Sequence, residues 1–253
     1  MDIDFNMLEG GIGHVLLNRP ARMNALDIPA KQELGRIWRE AAVDPVCRLL
    51  VISGAGERAF CAGSDIKEMQ ATGGMVDTAT LMNAIPGIGI TLEKPVIAAL
   101  HGFTVGMGLT VAIHCDFRVA VRSARFAFPE TKHGMLSGVS AVTLPGIVGE
   151  AAALDIMLSG RVFDATEAAR LGLLHRLVDG EDGAAALAGA LELARTLLGN
   201  SAMAMALTKR LILAERRRKV LAHAALIDEA RIAVTASTEF SDVVKRHDGA
   251  GRM

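Results

Sequence analysis

The sequence has no excess of charge of either sign. Its 253 residues include 27 lysines and arginines against 28 aspartates and glutamates, which gives a formal net charge of −1. Proteins that bind nucleic acids or anionic membrane surfaces usually carry a basic excess, so we expect neither as a partner. The N-terminal segment MDIDFNMLEGG also lacks a basic region followed by an apolar block, which argues against a signal peptide.

Cysteine is scarce. Cys47, Cys61 and Cys115 are odd in number, widely spaced and set among apolar neighbours. This usage predicts reduced core residues of a cytoplasmic protein rather than disulfide partners. The histidines likewise lack the spacing of a zinc site, so we expect no metal ion.

Long uninterrupted apolar runs are absent, although 51% of the residues are hydrophobic and the mean hydropathy is +0.35. The longest apolar segments are broken by glycine, histidine or a charged residue well before the length of a membrane span. An apolar excess without such a span suggests that part of the surface is buried between subunits. We therefore expect a homo-oligomer and no membrane association.

Two stretches share one order of elements: a strand, a turn, a second short strand and the start of a helix. They are LLVIS followed by AFCAGSDIKEM, and PVIAALHG followed by TVGMGLTVAIHCD. This repeat predicts an α/β fold in which ββα units form a spiral, rather than a doubly wound sheet. From Gly183 onward the sequence favours helix throughout, and we place a boundary near residue 195, with a core over residues 1–195 and a helical region over 196–253.

The second repeat contains a candidate anion site. Val96–Leu100 is an apolar run of strand length, which predicts a strand buried on both faces, and a helix should begin near Gly106. The first N–H groups of a helix have no partner within it, so those from Met107 onward suit a developing negative charge. Close packing of the strand against the helix is the alternative explanation for the glycines around Met107.

Glu130 is the sharpest candidate for proton transfer. It follows Phe126, Phe128 and Pro129, and apolar surroundings raise the pKa of a carboxyl group toward the range that is useful in acid–base catalysis. An ordinary loop glutamate is the alternative. A dinucleotide-binding fingerprint is incomplete at Val111, and no serine is flanked by the glycines of a hydrolase elbow.

Taken together, several blocks of the sequence resemble the enoyl-CoA hydratase/isomerase (crotonase) family. The blocks are RMNAL at 22–26, AFCAGSDIKEM at 59–69, and the segments at 95–120, 126–138 and 158–179. The resemblance implies a ββα-superhelix core with a helical C-terminal part that builds a homotrimer or a dimer of trimers. It also implies an acyl-CoA thioester substrate, with coenzyme A as part of that substrate and no prosthetic group.

The resemblance further implies roles for individual residues. An oxyanion hole would be formed by the backbone N–H groups of Ser64 and Met107, which would hold the enolate oxygen of the thioester. The CoA portion would lie along six residues, with the first and last of them near the phosphates: Arg22, Ala25, Ala62, Asp65, Ile66 and Lys67.

Hydratases of this family hold one water between two glutamates, whose positions fall here on Thr110 and Glu130. A threonine hydroxyl is too weak an acid or base to replace a carboxylate, although it can hold a water or a substrate oxygen. The 3,2-trans-enoyl-CoA isomerases of mitochondrial type keep a single glutamate at the Glu130 position, so the sequence ranks double-bond isomerisation by Glu130 first.

Other functions stay open at this point. The first alternative is hydration or dehydration by Glu130 with a water held near Thr110, and a hydrolase or decarboxylase acting on another acyl group comes after it. A non-catalytic acyl-CoA-binding paralogue and a structural oligomer are the alternatives outside catalysis. We expect the Gly73–Gly74 loop and the helix after it to wall the acyl pocket, and leave open a contact of Phe240 or Lys245 with a neighbouring subunit's CoA.

Overall fold

The computed structural model describes residues 2–72 and 74–247, with side chains as far as residue 242. Gly73 and the Lys245 side chain, for which the sequence gave expectations, lie outside this part. The strands are β1 (Ile3–Leu8), β2 (Ile12–Leu17), β3 (Leu49–Gly54), β4 (Ala59–Cys61), β5 (Val96–Leu100), β6 (Phe103–Val105), β7 (Phe117–Val121), β8 (Arg125–Ala127), β9 (Phe163–Asp164) and β10 (Arg176–Val178). The helices are α1 (Ile28–Val43), α2 (Ile66–Thr72), α3 (Thr78–Ala84), α4 (Met107–His114), α5 (Gly138–Thr143), α6 (Pro145–Val148), α7 (Glu150–Ser159), α8 (Ala165–Arg170), α9 (Gly183–Leu198), α10 (Ala202–Ala222), α11 (Ala224–Thr235) and α12 (Thr238–His247).

The strands form two sheets. One has the order β1-β2-β3-β5-β7-β10, and the other has the order β4-β6-β8-β9. Each repeat sends its first strand to the larger sheet and its second strand to the smaller one, so that β3, β4 and α2 are followed by β5, β6 and α4. Both pairs of equivalent strands, β3 with β5 and β4 with β6, run parallel. The predicted α/β spiral of ββα units is confirmed.

Local signals explain where α1 begins and ends. The Asp27 side chain accepts a hydrogen bond from the N–H of Ala30, 2.8 Å away, as an N-cap residue does. Pro29 lies in the first turn, where its missing N–H costs nothing. Asp44 is the C-cap residue. All three are local signals that the sequence itself shows.

Helix α4 lies at the centre of the core. All eight of its residues are buried, and strand β5, which precedes it in the same repeat, is buried along its whole length. Because a buried helix cannot move without disturbing the packing around it, the first turn of α4 is held firmly in place. That first turn contains Met107.

The C-terminal helices extend the core and then leave an apolar surface. Helix α9 packs against β3, β5 and β7, while α10 and α11 expose several large apolar side chains: Met203, Leu207, Leu211, Ile212, Leu221, Leu226 and Ile232. A surface of this kind suits burial against other subunits, which remains a prediction. The three cysteines are buried with free thiols, as expected. No helix in the described ranges is long and apolar enough to span a membrane.

Candidate active site

Two glycines bring the ends of neighbouring repeats close together. Gly63 follows β4 with a φ of +108°, and Gly106 follows β6 with a φ of +55°; both values lie where L-residues with a Cβ are rarely found. A Cβ atom on Gly63 would lie 3.3 Å from the carbonyl oxygen of Val105 and 3.6 Å from the backbone nitrogen of Met107. The absence of side chains therefore lets the two turns approach each other.

The residues that follow these glycines, Ser64 and Met107, carry backbone N–H groups that are free to bind a ligand. Met107 is the first residue of α4, where an N–H has no acceptor within the helix. Among the described residues, neither N–H donates to a backbone carbonyl outside the regular elements. The two donors expected from the sequence therefore lie in adjacent turns, and both residues line the same cavity.

Glu130 lies opposite Met107, at the start of the 3₁₀ helix Glu130–His133. Its Oε1 accepts a hydrogen bond from the hydroxyl of Ser137, and a Cβ atom on Gly106 would lie only 3.0 Å from the same oxygen. Its Oε2 is buried with no hydrogen-bond partner in the described part of the chain. Burial raises the pKa of the Glu130 carboxyl above its ordinary value, and the Ser137 hydrogen bond partly opposes that rise.

Thr110 lies one turn into α4 and is 5% exposed. Its hydroxyl is 2.8 Å from the hydroxyl of Ser140 and 3.2 Å from the carbonyl oxygen of Gly106. The Ser140 hydroxyl can therefore donate to Thr110 while Thr110 donates to Gly106, which leaves a lone pair on the Thr110 oxygen for a further partner. The position that lacks a carboxylate thus carries a pair of hydrogen-bonded hydroxyls.

Ser64, Met107, Thr110 and Glu130 all line one cavity of about 200 Å³. Its polar end is formed by Ser64, Met107, Thr110, Glu130 and Ser137. The remainder is largely apolar and ends at a buried arginine; the residues lining that part include Met69, Met75, Val76, Leu81 and Arg231. Thus all four residues that the sequence predicted as catalytic face one cavity.

The predicted CoA-binding residues lie along one strip beside this cavity. The N–H of Ala62 donates to the carbonyl of Met23 over 2.9 Å, and the N–H of Leu26 donates to that of Gly63 over 2.8 Å. The RMNAL segment therefore runs alongside the turn after β4. Asn24 holds this segment in place, because its side-chain amide donates hydrogen bonds to the carbonyls of Ala55 and Ala59.

Within this strip the six residues occupy different surroundings. Ala62 and Ile66 line the cavity, whereas Arg22 and Lys67 are exposed, as side chains that meet phosphates would be. Ala25 is half-buried. Asp65 is buried and is 3.3 Å from a guanidinium nitrogen of Arg19, and its Oδ1 accepts from the N–H of Lys67 over 3.0 Å, which holds the start of α2.

Three residues of the site were missed by the sequence analysis: Ser137, Ser140 and Arg231. Ser137 precedes α5 and Ser140 lies within it, and Arg231 belongs to α11, far along the chain. No three His, Cys, Asp or Glu side chains within residues 2–72 and 74–247 converge to hold a metal ion.

Comparisons with known proteins agree with this geometry. A family model described as enoyl-CoA hydratase/isomerase matches residues 8–243. The (E)-benzylidenesuccinyl-CoA hydratase of Thauera aromatica is 36% identical over 170 residues, which cover 66% of this chain and 66% of that protein. The short-chain-enoyl-CoA hydratase of Clostridium acetobutylicum is 33% identical over 217 residues, or 81% of this chain and 78% of that one.

A solved structure of an enoyl-CoA hydratase/isomerase from Mycobacterium paratuberculosis superimposes with a TM-score of 0.88 at 26% identity, covering 97% of this chain and 98% of that one. The sequence match to the Thauera aromatica protein spans about two thirds of its length, but the fold match extends over nearly the whole chain. The chain belongs to the enoyl-CoA hydratase/isomerase (crotonase) family.

Proposed function

We propose that the protein is an enoyl-CoA hydratase that adds water across the 2,3 double bond of an enoyl-CoA thioester, with Glu130 as its single acid–base group. The observation that carries this proposal is the buried Oε2 of Glu130, which has no hydrogen-bond partner among the described residues, in a cavity that is also lined by Ser64, Met107 and the Thr110 side chain. The reverse reaction, dehydration, uses the same groups.

The chemistry requires one proton acceptor and one place for negative charge. Glu130 takes a proton from a water held near the Thr110 hydroxyl as the water oxygen bonds to C3. The electron pair of the C2–C3 double bond moves toward C1, and the thioester oxygen becomes an enolate. Glu130 then returns the proton to C2, so a single carboxyl group serves both steps and ends in its starting form.

The enolate oxygen would be held by the N–H groups of Ser64 and Met107. These donors belong to the backbone, so the methionine side chain at the second position leaves the donor itself in place. The fully buried helix α4 fixes the Met107 N–H before substrate arrives, and such preorganised donors stabilise charge at little cost in reorganisation.

Hydration now ranks ahead of the isomerisation that the sequence favoured, because the relatives named above are called hydratases. The structure also adds Ser140, whose hydroxyl pairs with that of Thr110. Ser140 itself is fully buried and does not line the cavity, but the Thr110 hydroxyl that it holds can accept a hydrogen bond from a water on the side where a second carboxylate is missing.

Isomerisation remains the second candidate, and one observation favours it. Among the described residues that line the cavity, Glu130 is the only one with a carboxylate side chain. A single carboxylate can remove a proton from C2 of a 3-enoyl-CoA and return it at C4 without any water.

Product analysis separates the two candidates. Purified protein is incubated with a 2-enoyl-CoA and, separately, with a 3-enoyl-CoA, and the products are resolved by chromatography and mass spectrometry. Hydration predicts a 3-hydroxyacyl-CoA from the 2-enoyl substrate. Conversion of the 3-enoyl substrate with no hydration of the 2-enoyl one would replace the proposal by isomerisation, and tight binding without any conversion would point to a non-catalytic acyl-CoA-binding protein.

A further inference from the structure

The buried face of α11 carries an arginine. Ile227 and Arg231 are the two buried residues of this helix, and a spacing of four places them on one face. Ile227 packs against α5, where a Cβ atom on Gly138 would lie 2.7 Å from its Cγ2. Arg231 follows one turn later and is 7% exposed. Arginine is rarely buried to this extent unless it is paired.

Its partners in the described part of the chain are neutral. One terminal nitrogen of Arg231 donates to the hydroxyl of Thr78 over 2.6 Å, and the other donates to the carbonyl of Val76. A guanidinium has five N–H donors, so these two bonds leave part of its capacity unused. Burial lowers the pKa of Arg231 from its ordinary value, but an arginine remains protonated near neutral pH.

The carboxylates near Arg231 lie on its outer side. Asp77 and Asp228 line a separate surface groove together with Arg231, and neither lines the acyl cavity. Each already accepts a hydrogen bond: Asp77 from the N–H of Thr80, and Asp228 from the hydroxyl of Thr78. In the acyl cavity, by contrast, Arg231 is a lining residue together with apolar side chains such as those of Met75 and Leu81.

The cavity thus has a proton-transferring group and a cation among its lining residues. We propose that Arg231 binds an anionic group on the acyl chain, so that the preferred substrates are enoyl-CoA thioesters whose acyl part carries a carboxylate. This inference rests on the proposed acyl-CoA site. It goes beyond it by naming the substrate class, since a carboxylate in such a place forms charge-assisted hydrogen bonds with a guanidinium.

Binding of unreactive thioesters tests this inference without relying on turnover. Succinyl-, glutaryl- and adipyl-CoA are compared by calorimetry with butyryl-, pentanoyl- and hexanoyl-CoA, which have the same chain lengths and no second carboxylate. We expect the wild type to bind at least one carboxylated thioester about tenfold more tightly than its neutral counterpart, and Arg231→Met to lose that preference.

Two further variants distinguish the effect of the Arg231 charge from the effect of the hydrogen bond that Arg231 makes to Thr78. Arg231→Lys keeps a cation, and we expect it to keep part of the preference even if the side chain is repositioned. Thr78→Val removes the hydrogen bond between Arg231 and the first residue of α3 but leaves the guanidinium, so the preference should persist. Loss of the preference in Thr78→Val to the same extent as in Arg231→Met would overturn the inference in favour of a purely structural arginine.

Binding measurements on the wild type distinguish failure of the Arg231 inference from failure of the proposed function. If carboxylated and neutral thioesters bind with equal affinity, the anion-binding role of Arg231 is wrong and the acyl-CoA site stands. If no acyl-CoA binds, the proposed function itself fails.

Discussion

The two walls of the cavity differ in what supports them. The chemical wall consists of Met107, Thr110, Glu130 and Ser137, and the recognition wall consists of Met69, Met75, Val76, Leu81 and Arg231. Met107 and Thr110 of the chemical wall belong to α4, which is buried along its whole length, while Glu130 begins a 3₁₀ helix and Ser137 precedes α5. The recognition wall is assembled from α2, the segment before α3, α3 itself and α11; in α2 only Met69 is buried.

This difference suggests a division of labour. Groups that must lie within hydrogen-bond reach of the reacting atoms require rigid support; α4 provides it for Met107 and Thr110, and the hydrogen bond from Ser137 helps to hold Glu130. Groups that only choose among acyl chains can lie on segments that meet through fewer buried contacts. Substitutions in the chemical wall should therefore lower the rate for every substrate, whereas those in the recognition wall should change the order in which substrates are preferred.

Glu130→Gln should have the largest effect, because it removes the only side chain of the chemical wall that can accept a proton near neutral pH. We expect kcat to fall by about 10²- to 10⁴-fold, while acyl-CoA affinity changes little. Steady-state hydration assays and calorimetry measure the two quantities. Glu9→Gln, at an exposed turn, is the matched control and should leave kcat unchanged; equal loss in both variants would remove Glu130 from the mechanism.

Gly106→Ala should come next. The residue has a φ of +55°, and the added Cβ would lie 3.0 Å from Glu130 Oε1, so the carboxylate and the Met107 N–H are both displaced. Loss of one oxyanion donor typically lowers kcat by about 10²- to 10³-fold. Gly146→Ala is the control, since a Cβ there meets nothing within 4 Å. Wild-type kcat in Gly106→Ala would argue against this placement of the oxyanion hole.

Thr110→Val should distinguish the two reactions. It removes the hydroxyl that we place beside the attacking water and leaves Ser140 without its partner, and an unsatisfied buried polar group costs about 1–3 kcal/mol. We expect hydration to fall about tenfold or more, with Thr110→Ser retaining most of the rate. Any isomerisation of a 3-enoyl-CoA should persist, because that reaction uses no water. Undiminished hydration by Thr110→Val would exclude this role for the hydroxyl.

Ser137→Ala should have the smallest effect on rate and a visible effect on pH dependence. The Ser137 hydrogen bond favours the ionised form of Glu130 and so lowers its pKa, against the effect of burial; removing it leaves burial opposed only by the backbone N–H of Glu130 itself. The pKa of Glu130 therefore rises further, and the acidic limb of the kcat/KM profile moves to higher pH. Ser137→Thr keeps the hydroxyl and should return the acidic limb of the kcat/KM profile to its wild-type pH. A limb that moves to lower pH in Ser137→Ala would contradict this account.

The sequence predicted those parts of the fold and site that depend on local signals. The repeated ββα order predicted that a helix begins near Gly106, where α4 does begin. Glu130 stood out because apolar residues precede it. Each of these signals lies within a few residues of the feature that it predicts.

The remaining features depend on contacts between distant segments. The Thr110–Ser140 pair joins residues thirty positions apart, and Arg231 reaches the first residue of α3 across more than 150 positions. Such contacts follow from how the helices pack and leave no periodic pattern in the sequence. The sequence therefore showed a single carboxylate and ranked isomerisation first, while the hydroxyl pair that supports hydration became visible only in the fold.

The stereochemistry of hydration in deuterated water tests the central claim most directly, which is that Glu130 alone transfers the proton. One carboxylate on one side of the bound thioester must deliver deuterium to C2 from the same face on which the water oxygen bonds to C3. Nuclear magnetic resonance of the 3-hydroxyacyl product reports both positions. We predict addition of both groups to the same face, whereas addition to opposite faces would require a second acid across the cavity and would contradict the account.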